Sequence, residues 1–113
     1  MICLCAALLF AWVPWAAQAG FHNGNEYLKW PRMLKITYVS GVYDGLEEAF
    51  NGETGTPSPG KPALAICMPD SVTAEQMTDV VTKYIHDHPA DRHLNGADLV
   101  DASLKAAFPC PPR

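Results

Sequence analysis

Apolar positions recur at helical spacing in three stretches of this chain, and no stretch alternates for long as a half-buried strand would. The first stretch runs from about Arg32 to Phe50 and repeats Leu34, Tyr38, Val42, Leu46 and Ala49, with Val39, Tyr43 and Phe50 widening the stripe. Pro31 stands just ahead of it, where a missing N–H is not needed. The second stretch starts at Thr73, an N-cap, with Gln76 three residues on to complete a T-x-x-Q capping box. Val72 and Met77 occupy the staple positions around it, and Glu75 and Asp79 set negative charge near the positive end of the dipole. Met77, Val80, Val81, Tyr84, Ile85 and His88 form its apolar face, and Pro89 stops it. The third stretch runs from about Gly96 to Ala107 on Ala97, Val100, Leu104 and Phe108, with Leu99 beside them, and Pro109, Pro111 and Pro112 forbid continuation. A short extended piece fits Ala63 to Met68. The pattern predicts an all-α fold, a small bundle of three to four helices.

Two features interrupt that pattern. Gly41 and Gly45, four apart on one flank of the first helix, each cost about 1 kcal/mol against Ala. Close approach of another helix would offset them; local tolerance near a helix end is the plainer alternative. Asn51 to Ala63 is rich in Gly, Pro, Ser and Thr and reads as a surface loop of about 13 residues. Asn51, Gly52, Glu53, Thr54 and Gly55 are candidate partner contacts on its length and composition alone, and plain flexibility explains such a loop equally well.

Residues 1–19 carry no Asp, Glu, Lys, Arg or His; Leu4 to Val13 is apolar, and Ala17-Gln18-Ala19 offers a cleavage site before Gly20. This is the layout of a secretory signal peptide, with an apolar stretch too short to span a bilayer, although the n-region has only the amino terminus as its positive charge. An uncleaved membrane anchor is the rival. Cleavage after Ala19 would leave one domain, residues 20–113, carrying the whole net charge of −4. Without a basic stripe, that balance argues against nucleic acid, and against anionic lipid once the leader is gone. Cys67 and Cys110 are the only cysteines after the leader. They sit at the entry and exit of the hairpin made by the second and third helices, so in an oxidising compartment a disulfide can close it. The chain-entropy model gives such a loop about 4 kcal/mol as an upper figure.

Residues that could carry chemistry are present but poorly arranged for it. His86, His88 and His93 lie near Asp87 and Asp91, yet His86 and His88 are two apart, unlike the i, i+4 pair of a helical zinc site. The plainer reading has His88, Arg92 and His93 build the interhelical turn and satisfy its carbonyls. Cys67 and Cys110 form no C-x-x-C motif, the serines lack a G-x-S-x-G context, and no glycine-rich phosphate cradle occurs. Tyr27, Trp30, Tyr38 and Tyr43 suit a core. No catalytic residue, metal or cofactor is implied.

The segments YVSGVYDGL (Tyr38 to Leu46), CMPDSVTAEQMTDVV (Cys67 to Val81), YIHDHPADRH (Tyr84 to His93) and the terminal FPC (Phe108 to Cys110) resemble the Rap/Tai family of immunity proteins, which protect bacteria against amidase effectors of type VI secretion systems. The resemblance runs from about Phe21 to Cys110. It implies a small all-α periplasmic protein, commonly a homodimer, that binds a peptidoglycan amidase and blocks its cleft without being an enzyme itself. It also implies that Cys67 and Cys110 are the structural pair, that Tyr38, Gly41 and Asp44 shape the first helix, and that Thr73, Gln76, Pro89 and Arg92 shape the second helix and its exit. Some members carry a further cysteine pair near the N-terminus, which the segment after the leader lacks. A periplasmic acid-stress chaperone and a general envelope-binding module are the alternatives.

Overall fold

A computed structural model describes residues 21–50 and 63–112. The leader and most of the loop from Asn51, including the candidate contacts Asn51 to Gly55, lie outside the described residues. Four helices and a short 3-10 turn make up the described fold: α1 (Gly24–Lys29), α2 (Arg32–Ala49), α3 (Ala74–Asp87), the 3-10 turn Pro89–Asp91, and α4 (Gly96–Ala107). The three predicted helices are present within a residue or two of their expected ends.

Each helix begins for a local reason. Thr73 Oγ1 accepts the Gln76 N–H at 3.1 Å, Asn95 Oδ1 accepts that of Ala97 at 3.1 Å, and Asn23 Oδ1 accepts that of Glu26 at 3.0 Å. These side chains satisfy donors that a helix leaves open at its start. The expected capping box closes on one side only. No hydrogen bond returns from the Gln76 side chain to Thr73 among the described residues, because Gln76 is exposed and water can take its amide. Pro31 is the N-cap of α2 and makes no side-chain cap there.

Helix α3 packs on α4, α2 lies against both, and α1 bridges α3 and α4. The core joins Val39 of α2, Met77, Val81 and Ile85 of α3, and Leu99, Val100 and Leu104 of α4, with Tyr27 of α1 equally buried. The predicted α2 stripe is trimmed at its ends: Leu34 and Ala49 are exposed, and Val39 is the position fully covered. Thr78 and Ser103 are buried among these side chains, and each hydroxyl donates to a carbonyl of its own helix, of Ala74 at 2.7 Å and of Val100 at 2.9 Å. Neither polar group is left unpaired in the core.

Leu64, Ile66 and Met68 alternate inward along the extended piece Ala63 to Met68 and complete the core. This strap pairs with the exit of α4 through the Ile66–Pro109 bridge and the Cys67 N–H, which donates to Phe108 O at 2.9 Å. Ala65 adopts φ 60°, a left-handed conformation that costs a residue with a Cβ about 1 kcal/mol.

The glycine expectation is overturned. A Cβ at Gly41 or Gly45 would meet nothing within 4 Å, so no helix among the described residues approaches that flank. The glycines that packing requires are Gly24 and Gly96. A Cβ at Gly24 would fall 2.8 Å from Leu99 Cδ1 and 2.9 Å from Arg92 O, where α1 docks.

Candidate functional site

Two regions of the described surface combine defined geometry with the residues singled out from the sequence. The first is the hairpin base. Cys67 and Cys110 are disulfide-bonded with Cα atoms 4.9 Å apart, bringing the entry to α3 and the exit of α4 together as the pattern required. Phe50, at the end of α2, and the strap that this disulfide pins are the described residues on either side of the loop from Asn51. Phe50 N–H donates to Leu46 O at 2.9 Å and Phe50 packs on the core.

The second region is the turn between α3 and α4. Arg92 reaches back along α3, donating Nε to Ile85 O at 3.1 Å and Nη2 to His86 O at 2.6 Å. Carbonyls at a helix C-terminus lack intrahelical donors and carry partial negative charge, so a guanidinium satisfies both needs. The Arg92 carbonyl in turn accepts the Asn25 N–H at 3.1 Å, which ties α1 to the turn. His88 stacks on Tyr84 with ring centroids 4.0 Å apart, and its Nδ1 lies 2.7 Å from Tyr84 O. Pro89 opens the 3-10 turn. Of the three residues expected to build this turn, His88 and Arg92 satisfy its carbonyls, while His93 is exposed.

Beside the turn lies an open groove of about 430 Å³ between α3 and α4, lined by Val80, Tyr84, Ser103, Ala106 and Ala107. Lys83, Asp87 and His88 edge it. Lys83 and Asp87 form an ion pair, and the hydrogen bond from Lys83 holds the Asp87 carboxyl below the usual carboxylate range. The groove can accept an apolar side chain and offers both signs of charge at its lip. Among the described residues no group of three or more His, Cys, Asp or Glu side chains gathers to hold a metal ion. Nor is any described helix long and apolar enough to cross a membrane.

The remaining motif residues separate. Tyr38 is half-buried, edge-on to Trp30 at 5.1 Å and to His22 at 5.9 Å between ring centroids, and burial pushes its hydroxyl pKa up. Its hydroxyl faces Gly96. Gly41 and Asp44 are exposed, on a different part of α2 from Tyr38. Thr73 and Gln76 serve the start of α3 and lie outside the turn. The structure thus unites Pro89 with Arg92, and Cys67 with Cys110, but not the motif as a whole.

Helix α1 escaped the sequence reading; Tyr27, expected in the core, is buried on it, and its hydroxyl shares a 2.9 Å hydrogen bond with Thr82 Oγ1 of α3. The signal was present in Asn23 followed by Glu26, an N-cap with an acidic residue in the first turn. Six residues are too few for apolar periodicity to show.

A family model described as Rap1a immunity proteins matches residues 16–110. No curated protein and no solved structure gives a significant match. The matched span holds all four helices, the strap and both bonded cysteines, and the chain belongs to the family of Rap1a immunity proteins.

Proposed function

We propose that this chain is a periplasmic immunity protein that binds a peptidoglycan amidase effector of a type VI secretion system and occludes its cleft. The family match over residues 16–110 carries this reading. The disulfide supports it from the side of location, since such bonds persist in oxidising compartments. The leader, cleaved after Ala19, delivers the domain there, and the protein works as a homodimer. Protection is steric. The loop beginning Asn51-Gly52-Glu53-Thr54-Gly55 enters the amidase cleft. The protein acts by binding and transforms no substrate.

Isolated peptidoglycan, digested by effector proteins secreted from the source bacterium, tests this reading. Added residues 20–113 in the oxidised form should suppress amide-bond cleavage in proportion to the amount added. Unchanged cleavage with excess protein would refute it. Deleting Thr54 to Gly60 should abolish suppression and leave helicity intact, whereas suppression by the deletion variant would rule out the loop.

A further inference from the structure

The two cysteines of the hairpin disulfide are buried unequally. Cys67 is half-buried in the strap, between buried Ile66 and Met68, and its N–H is bonded to Phe108 O at 2.9 Å. Cys110 is exposed and flanked by Pro109 and Pro111, which are exposed as well. Prolines on both sides restrict the backbone around Cys110 and remove its neighbours' N–H donors. An incoming thiolate needs access to the sulfur it attacks, and Cys110 is the more exposed of the two residues.

We propose that the Cys67–Cys110 bond is a redox-addressable latch, opened and closed by a dithiol oxidoreductase through a mixed disulfide at Cys110. On opening, a thiolate of the partner attacks Cys110 Sγ and the Cys67–Cys110 bond breaks. Its electron pair leaves on Cys67, which takes a proton from water. The partner's second thiolate then attacks its own sulfur in the mixed disulfide, and Cys110 leaves as a thiolate. Two electrons pass from the partner's dithiol, which becomes a disulfide, to the cystine. Closing runs the same steps backwards: Cys110 takes the partner's disulfide and Cys67 resolves it. Opening removes the covalent anchor of the strap, leaving Leu64, Ile66 and Met68 held by packing and by the pairing with Phe108 and Pro109. The proposal rests on the reading that the domain works in an oxidising compartment, but its chemistry needs no effector.

The test uses the native oxidised protein and glutathione as the probe, with acid quenching and peptide mapping of the first adduct. Glutathione should be found on Cys110 at least tenfold more often than on Cys67, with the preference vanishing in urea. Equal adducts, or a preference for Cys67, in the folded protein would overturn the proposal. As a second readout, the free thiol of Cys67→Ser should react with an aromatic disulfide faster than that of Cys110→Ser under native conditions; equal rates there would also overturn it. Neither result depends on amidase binding, so the two readings fail separately.

Discussion

The Tyr38 hydroxyl lies over Gly96 so closely that a Cβ there would sit 2.5 Å from it, and 3.1 Å from the His22 carbonyl. That carbonyl accepts the Gly96 N–H at 2.7 Å. The start of α4, the segment before α1 and the middle of α2 therefore meet at one glycine. Gly24 marks a second such meeting, against the Arg92 carbonyl.

Four glycine-to-alanine substitutions should then divide by location. Gly24→Ala forces backbone apart and should cost about 1–3 kcal/mol, as overpacking does. Gly96→Ala should also destabilise, by less, since part of its clash is with a movable tyrosine hydroxyl. Gly41→Ala and Gly45→Ala fill open space on a helix and should each stabilise by about 1 kcal/mol. Thermal melts of the four variants decide the point, and a loss at Gly41 or Gly45 would contradict it.

Arg92→Ala should destabilise by about 2–3 kcal/mol, because two carbonyls at the end of α3 lose a charged donor. Arg92→Lys should recover only part of this, since an ammonium cannot reproduce the forked pair. Urea unfolding of both variants gives the measurement, and a lysine variant equal to wild type would show that charge alone suffices.

Cys67→Ser/Cys110→Ser should lose up to about 4 kcal/mol, the chain-entropy value for a closure spanning 43 residues. Ala65→Gly in the same strap should act the opposite way and gain about 0.5–1 kcal/mol, by relieving a left-handed backbone at some cost in unfolded-state entropy. Denaturant midpoints of the oxidised proteins compare the two.

Burial raises the pKa of Tyr27 above its ordinary value, so folding favours the neutral phenol. The folded state holds that proton more tightly than the unfolded state does. Its contribution to stability is therefore complete below the unfolded value near pH 10 and is lost as pH rises through the higher folded value. Tyr27→Phe should lose about 1 kcal/mol at neutral pH, with the Thr82 bond gone, and should show a shallower loss above pH 10. Melts between pH 8 and 11 test it, and parallel curves would contradict it.

The long helices were legible because each carries several turns of apolar periodicity and a boundary residue, such as Thr73 ahead of α3 or Pro89 behind it. The disulfide followed from the hairpin, since a short turn puts Cys67 and Cys110 at one end. What stayed hidden depends on tertiary distance. Gly41 and Gly24 look alike in sequence, and only the approach of Leu99 and Arg92 distinguishes them. The sequence places Arg92 at the turn, but which carbonyls its guanidinium reaches, those of Ile85 and His86, depends on how the turn folds back onto α3. The candidate site was half legible: its cysteines and turn residues were named, but the groove between Tyr84 and Ala106 arises from how α3 and α4 pack.

Affinity capture tests the central claim most directly. Oxidised residues 20–113 serve as bait for the lysate and secreted proteins of the source bacterium, read by mass spectrometry at pH 7 and pH 3. A single peptidoglycan amidase retained at pH 7 is the predicted result. Many unrelated proteins held only at pH 3, with no amidase at pH 7, would contradict the immunity reading and favour an acid-stress chaperone.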